Sequence, residues 1–424
     1  MHHFDYRNGV LHAEDVALAD IAAEVGTPFY CYATATLTRH VDVLRAAFEA
    51  QGHDPLICYA VKANSNQAIL KTLVARGLGM DIVSAGEMQR ALAAGCPPDK
   101  IIFAGVGKTR SEMAEALGSG VVNFNVESAA ELDALSEVAA AGGQTAKISI
   151  RVNPDVDAKT HAKISTGKSE NKFGVPYADA PALYAHAAEL PGIAIAGIHM
   201  HIGSQIYELQ PFADAFQRMR ELITTLRAAG HSLSHLDLGG GLGVPDRVGN
   251  APPPRPEAYA EVVHAALGDL GLPFVLEPGR MLVANAGVLV TEVVHVKPGQ
   301  EKTFTIVDAA MNDLIRPTLY DAHHDVWPVD EAKRDEPPIT QDIVGPVCES
   351  GDYLALSRPL PPFAAGDLIA LMTAGAYGAV MASTYNSRPL VAEVLVRGAQ
   401  YSVIRPRRRI AELIAQDAIP EWLE

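Results

Sequence analysis

Between residues 56 and 279, short apolar runs alternate with helical patterns. The runs are LICYAVK (56–62), GMDIVS (79–84), KIIFAG (100–105), VVNFNVE (121–127), KISIRVNP (147–154), AIAGIHMHIG (194–203), HLDLGGG (235–241) and PFVLEPG (273–279). Most intervals carry an Ala/Leu/Glu-rich stretch with helical spacing, such as AGEMQRALAAG (85–95) and ESAAELDALSEVAAAGG (127–143). The runs are mostly apolar rather than alternating, as expected of parallel strands buried on both faces. Eight such units predict an N-terminal (β/α)8 TIM-like barrel. An open doubly wound sheet competes with it, but eight units without a dinucleotide fingerprint favour closure.

After about residue 285 the texture changes. GVLVTEVVHVK, KTFTIVDA, LIALMTAG and LVAEVLVRGAQYSVI are Val/Thr-rich and partly alternating, which predicts a C-terminal β-sandwich or β-barrel domain. The expected division is a barrel over 28–285 and a β domain over 286–424, joined by the N-terminal segment 1–27. VLHA, behind the turn signal Asn8-Gly9, and FYCYA, ahead of the barrel, are early segments able to pair with the late β domain. The tail from Arg407 predicts a surface helix, whereas 251–256 and 328–338 predict loops.

Composition narrows the functional classes. With 424 residues, 48% hydrophobic and 20% charged, the chain fits a globular protein of two or three domains. A net charge of −16 argues against binding nucleic acid or anionic membranes, and no run is long enough to span a bilayer. The cysteines Cys31, Cys58, Cys96 and Cys348 show no CxxC pairing, so neither structural zinc nor a disulfide scaffold is expected and a reducing cytoplasm fits. The N-terminus lacks a continuous apolar segment, so no signal peptide is expected.

In a barrel, chemistry sits at the C-terminal ends of the strands. Those ends carry Lys62, Asp81 with Ser84, Glu127, Asn153, His201 with Ser204, Gly239–Gly241, and Glu277 with Arg280. Lys62 is either a lysine snorkelling from a strand end or an amine depressed by burial and able to form a Schiff base, as in class I aldolases or pyridoxal phosphate (PLP) enzymes. The glycine run is either a tight turn or a cradle pointing N–H groups at a phosphate. Glu277 is a turn cap, a partner of Arg280 or, in a PLP enzyme, the acid that keeps the pyridine nitrogen protonated. His201 is a hydrogen-bonded core histidine or a ring that stacks on a cofactor, with Ser204 a further phosphate donor. GVGKT (105–109) lacks the first glycine of a P-loop, which falls at Ile102, and His323-His324 lacks a second ligand pair, so no metal is expected.

YAVKAN, HIGSQ, DLGGG, EPGR, CESGD and GAYG, in this order across almost the whole chain, resemble the fold-III PLP-dependent decarboxylases of amino acids, most specifically those acting on diaminopimelate. The resemblance implies PLP as cofactor, decarboxylation of meso-diaminopimelate to L-lysine, and a homodimer with shared active sites. It matches Lys62 to the PLP-carrying lysine and His201 to the ring-stacking histidine. It matches Asp81, Ser204, Gly239, Gly240, Gly241, Gly279 and Tyr377 to cofactor-binding positions, with Glu277 at the pyridine nitrogen. Arg280, Arg316 and Tyr320 match binders of substrate carboxylate, and Glu349 the group that receives the distal ammonium. Cys348 matches a proton donor from the other subunit. The Arg316/Tyr320 pair in MNDLIRPTLYDAHH (311–324) argues for a substrate with a carboxylate at each end, against ornithine or arginine and less firmly against carboxynorspermidine. A non-catalytic PLP-holding relative is disfavoured by intact Lys62, Cys348 and Glu349. The polar segment 157–174 is expected to act as a lid.

Overall fold

A computed structural model describes residues 2–157, 172–245, 247 and 251–423. The lid expectation falls almost entirely on 158–171, outside the described residues. Residues up to Leu37 and from Val283 onward form one unit, and Thr38–Val244 with Ala251–Leu282 form the other.

The second unit is the barrel. Its strands are β1 Leu56–Ala60, β2 Gly79–Ile82, β3 Ile101–Phe103, β4 Asn123–Val126, β5 Ala146–Asn153, β6 Ile193–His199, β7 His235–Asp237 and β8 Phe274–Leu276. Neighbours in chain order pair in parallel throughout, and β8 returns to β1 through Val275↔Leu56 and Leu276↔Ile57, which closes the ring. Each of the eight apolar runs is therefore one barrel strand. The intervening helices begin where side chains can satisfy their first N–H groups: Ser84, Ser128 and Thr109 each accept from the third residue onward, caps worth about 1 kcal/mol apiece. Thr109 and Glu112 form a reciprocal capping box, which accounts for GVGKT: Thr109 starts a helix, and Lys108 is held in the interior by Glu131 at 2.7 Å.

One feature of the strands differs from the sequence reading. Their inward positions alternate with the outward ones and are polar on several strands. Asn123 Nδ2 donates to Asn125 Oδ1 and to Ser149 Oγ, and Ser149 meets His235 across the interior at 3.0 Å. Gly197 on β6 makes room for this layer, since a Cβ there would lie 2.5 Å from His235 and 2.7 Å from Ser149. Cys58, Ile102 and Val275 fill an apolar layer.

The other unit is a β domain. A nine-stranded sheet includes Phe29–Ala33 at its centre, paired with Gly287–Pro298 on one side and Ala392–Arg397 on the other. FYCYA is thus a strand of this unit. A three-stranded sheet, Phe4–Arg7, Val10–Ala13 and Val16–Ala17, packs with helix Leu18–Val25 against it. Its first hairpin turns at Asn8-Gly9, both at positive φ, which matches the right-handed twist of the strands. The shared core includes Phe4, Leu11, Ile21, Phe29, Val288, Val290 and Val394, the packing of a sandwich.

Two expectations need correction. The tail is helical only over Ile410–Ile414 and then over a short turn at Glu421–Leu423, because Pro420 and the exposed face leave little to stabilise a longer helix. The segment 328–338 is not wholly loop, since Val326–Pro328 is a strand and Asp330 caps a 3₁₀ turn at Glu331–Asp335. Among the described residues no helix is long and apolar enough to cross a membrane. Phe124 is fully buried on β4, with its ring 6.0 Å from Phe103. Phe124→Ala should cost about 3–5 kcal/mol of stability, seen as a lower denaturant midpoint for the barrel signal.

Candidate active site

The residues singled out from the sequence fall into two sets, one in each unit. In the barrel, Lys62 lies in the single turn Val61–Ala63 that follows β1. Its side chain is 44% exposed and its amine reaches Asp81 Oδ2 at 3.4 Å, so the amine is at a rim beside a carboxylate rather than buried. Asp81 itself is buried, and its Oδ1 has no hydrogen-bond partner. Burial first, then the nearby Glu277 charge, raise its carboxyl to about 8, against the opposing pull of Lys62.

Glu277 follows β8 and is buried. Its Oε1 accepts from Asn125 Nδ2 at 3.0 Å, and the same amide nitrogen lies 3.2 Å from Asp237 Oδ2. His199 Nε2 lies 3.2 Å from Glu277 Oε2. Burial alone would raise the Glu277 carboxyl, but the His199 ring, then Lys62 and His201, outweigh it and hold Glu277 well below the usual carboxylate range. Asp237 moves the other way: burial and the Glu277 charge push it well above. The two buried carboxyls are thus pushed in opposite directions, Asp237 toward its neutral form and Glu277 toward its charged form.

The glycine run is required by close approach. A Cβ on Gly239 would lie 2.5 Å from Met200 O, one on Gly240 2.4 Å from Glu277 O, and one on Gly241 2.8 Å from Gly203 O. Gly239 and Gly241 also have φ of +63° and +120°. The run thereby lies against the ends of β6 and β8 and brings His201 and Glu277 together. Gly240 N–H donates to His201 Nδ1 at 3.2 Å, which places the neutral ring's proton on Nε2. Burial, then Arg151 and Lys62, keep that ring neutral by lowering it well below its ordinary value. Arg280, buried just after Gly279, donates through Nε to Ser204 Oγ at 3.1 Å. Lys62, Asp81, His201, Gly239–Gly241 and Glu277 are thus linked into one cluster, and Ser204 is linked to Arg280. Ser84, Glu127 and Asn153 have local duties instead: Ser84 caps a helix, Glu127 binds Arg151 at 3.1 Å, and Asn153 accepts from Asp155 N–H.

In the β unit, Arg316 and Tyr320 bound the short helix Arg316–Tyr320. The loop bearing Cys348 and Glu349 is stitched to this region. Asp352 accepts from Met311 N–H at 2.7 Å and Val347 N–H at 2.6 Å, while Thr318 Oγ1 donates to Gly351 O at 2.5 Å. Asn386 Oδ1 accepts from Cys348 N–H at 2.9 Å, and Tyr385 reaches Glu349 at 3.5 Å. Cys348 is exposed. Tyr377 sits at a φ of +56° in the GAYG turn. There Gly378 fits because a Cβ would lie 2.8 Å from the Tyr30 hydroxyl, which donates to Asp313 O.

Asn125, His199 and Asp237 are central to the barrel cluster but were not among the residues expected from the sequence. Asn125 and Asp237 each lie two positions from another inward polar residue of their strand, Asn123 and His235, and that period of two was the available signal. His199, Asp237 and Glu277 offer ligand atoms within 4.8 Å of one another. Their spacing is accounted for by the Asn125 bridge and the His199–Glu277 contact.

The donor set fits PLP: a lysine amine at the rim, a glycine cradle with no space for side chains, and a buried carboxylate held ionised where a pyridinium proton can be matched. A closed barrel carrying this set defines a pyridoxal-dependent decarboxylase, and a family model described as the pyridoxal-binding domain of pyridoxal-dependent decarboxylases matches residues 34–284. A diaminopimelate decarboxylase from Zymomonas mobilis is 48% identical over 421 residues, covering 99% of both chains. One from Pseudomonas aeruginosa is 50% identical, covering 98% of this chain and 99% of its own. The crystal structure of diaminopimelate decarboxylase from Helicobacter pylori complexed with L-lysine has a TM-score of 0.89 at 41% identity, covering 94% of this chain and 98% of that one. Within its class, the chain belongs to the diaminopimelate decarboxylases.

Gly240→Ala would drive its methyl into Glu277 O and displace the cradle. PLP binding should weaken roughly tenfold or more, given that displacements of about 1 Å at a site are costly, and equilibrium dialysis followed by absorbance would measure it.

Proposed function

We propose that the protein decarboxylates meso-2,6-diaminopimelate to L-lysine and carbon dioxide with PLP as cofactor. The observation that carries this reading is Glu277, buried yet held ionised, with Lys62 and His201 grouped around it. Bound PLP supplies an electron sink for the pair left at Cα when the carboxylate bond breaks. Lys62 would hold the cofactor through its amine, steadied by Asp81. Glu277 would match the proton of the pyridine nitrogen. His201, neutral and oriented by Gly240, would lie against the ring, and Gly239–Gly241, Gly279, Ser204 and Tyr377 would hold the phosphate. Arg280, Arg316 and Tyr320 grip the carboxylate that is kept, and Glu349 receives the distal ammonium.

Carbon dioxide leaves and Cα takes a proton in its place. We assign that proton to Cys348 of the partner subunit, in a homodimer whose active sites are shared. The exposure of Cys348, on a loop fixed by Asp352 and Asn386, supports this assignment. The four free cysteines fit a reducing, cytoplasmic setting.

Purified PLP-loaded protein offered meso-diaminopimelate, ornithine or arginine separately should release carbon dioxide and lysine from the first alone. Putrescine or agmatine instead would overturn the substrate assignment, and no turnover with any of them would overturn the catalytic one. Arg316→Ala should lower kcat/KM for diaminopimelate by about 10- to 150-fold, the worth of a charged hydrogen-bonded contact. Equal loss with a diamino acid that lacks the second carboxylate would remove Arg316 from that role.

A further inference from the structure

Three groups act on Glu277 to lower its carboxyl against burial: His199, Lys62 and His201. They are not equally dependable. Lys62 sits at the rim, and its amine is the group that the chemistry engages, so its charge changes during each turnover. His201 is kept neutral by burial and by Arg151. His199 is different on both counts. It lies on the barrel wall at 1% exposure, away from the rim, and no step of the reaction uses it.

His199 also poses a question of its own. Neither of its ring nitrogens has an aligned hydrogen-bond partner, although buried polar groups almost always find one. Its Nε2 lies 3.2 Å from Glu277 Oε2, within ion-pair reach but off the line that a hydrogen bond requires. The other face of Glu277 is taken by Asn125, whose amide nitrogen also contacts Asp237. The groups facing Glu277 are therefore Asn125 from β4, His199 from β6, Asp237 from β7, and Lys62, His201 and Asp81 at the mouth. Of these, His199 is the ring that neither takes part in the reaction nor belongs to the cradle.

We propose that His199 is a positioning residue that keeps Glu277 ionised beneath the pyridine ring, with Asn125 bridging Glu277 to Asp237 on the other side. This rests on the reading of Glu277 as the partner of the pyridine nitrogen. In turnover, His199 maintains that partner while the Lys62 charge comes and goes.

The test uses protein loaded with PLP labelled with ¹⁵N in the ring, and reads the ¹⁵N chemical shift against pH. The wild-type signal should be that of a protonated ring nitrogen. Glu277→Gln should move it to the neutral position. His199→Asn should retain PLP and move the midpoint of ring protonation down by about one pH unit or more, the scale of a lost charge contact in a buried site. His199→Gln, which returns a donor near the Nε2 position, should recover part of that shift. A His199→Asn protein that keeps the wild-type signal, while Glu277→Gln loses it, would overturn the proposal and leave the Glu277 reading intact. An unchanged signal in Glu277→Gln would remove the Glu277 reading and this inference with it. If His199→Asn does not fold, a wild-type signal in His199→Phe or His199→Gln would overturn the proposal, and a shift in His199→Phe that His199→Gln partly recovers would support it.

Discussion

An ionised carboxylate inside a closed barrel is the constraint around which the catalytic end of this protein is built. An uncompensated buried charge costs several kcal/mol. Glu277 is met from three other strands, by the Asn125 amide, the His199 ring and Asp237, which burial and the Glu277 charge push toward its neutral form. That arrangement dictates what can fill the barrel. Val275 lies two residues before Glu277 in the apolar layer with Cys58 and Ile102. Asn123, Ser149 and His235 form a neutral polar layer. Asn125, His199, Asp237 and Glu277 complete the charged one. The interior thus becomes more polar toward the mouth, where a charged cofactor would have to be matched.

The glycine run follows from the same constraint. Glu277 can be held by β4, β6 and β7 only if the loop after β7 lies flat against the end of β8. Gly240 at 2.4 Å from Glu277 O and Gly239 at 2.5 Å from Met200 O leave no space for side chains. One loop therefore sets the position of Glu277 through Gly239 O and the orientation of His201 through Gly240 N–H. In the β unit, Asp352 has a comparable role. It is a single carboxylate whose two oxygens fix Met311 and Val347, and with them both ends of the path from the Arg316 helix to Cys348.

The sequence carried the barrel because eight apolar runs with helical spacers have few other ways to bury both strand faces. It also carried the strand-end residues that form the barrel cluster: Lys62, Asp81, His201, Gly239–Gly241 and Glu277. The β domain was legible by texture, but Ile339–Val344 and Tyr353–Leu360 were not picked out as strands. Tyr353–Leu360 is the edge of its sheet and both strands are partly exposed, so their apolar signal is weak. Lys62 was read as either a lysine snorkelling from a strand end or an amine lowered by burial; it is a rim residue whose amine lies 3.4 Å from Asp81. Burial is a tertiary property, and nothing in YAVKAN reports the distance to Asp81.

The residues missed inside the barrel show where the reading can be sharpened. Describing the runs as mostly apolar averaged over two faces that have different duties. On β4 the inward face reads Asn123, Asn125; on β5 Ser149, Arg151; on β6 Gly197, His199; on β7 His235, Asp237. A barrel interior that serves only packing is filled by branched apolar side chains. Polar residues two apart on β4, β5 and β7 cannot be accidents of strand ends, because each must be hydrogen-bonded or charged against a neighbour once buried. Such a pattern, read within parallel strands, marks an interior that holds a charge. The carboxylate it serves is then the first inward position beyond the last strand, which here is Glu277.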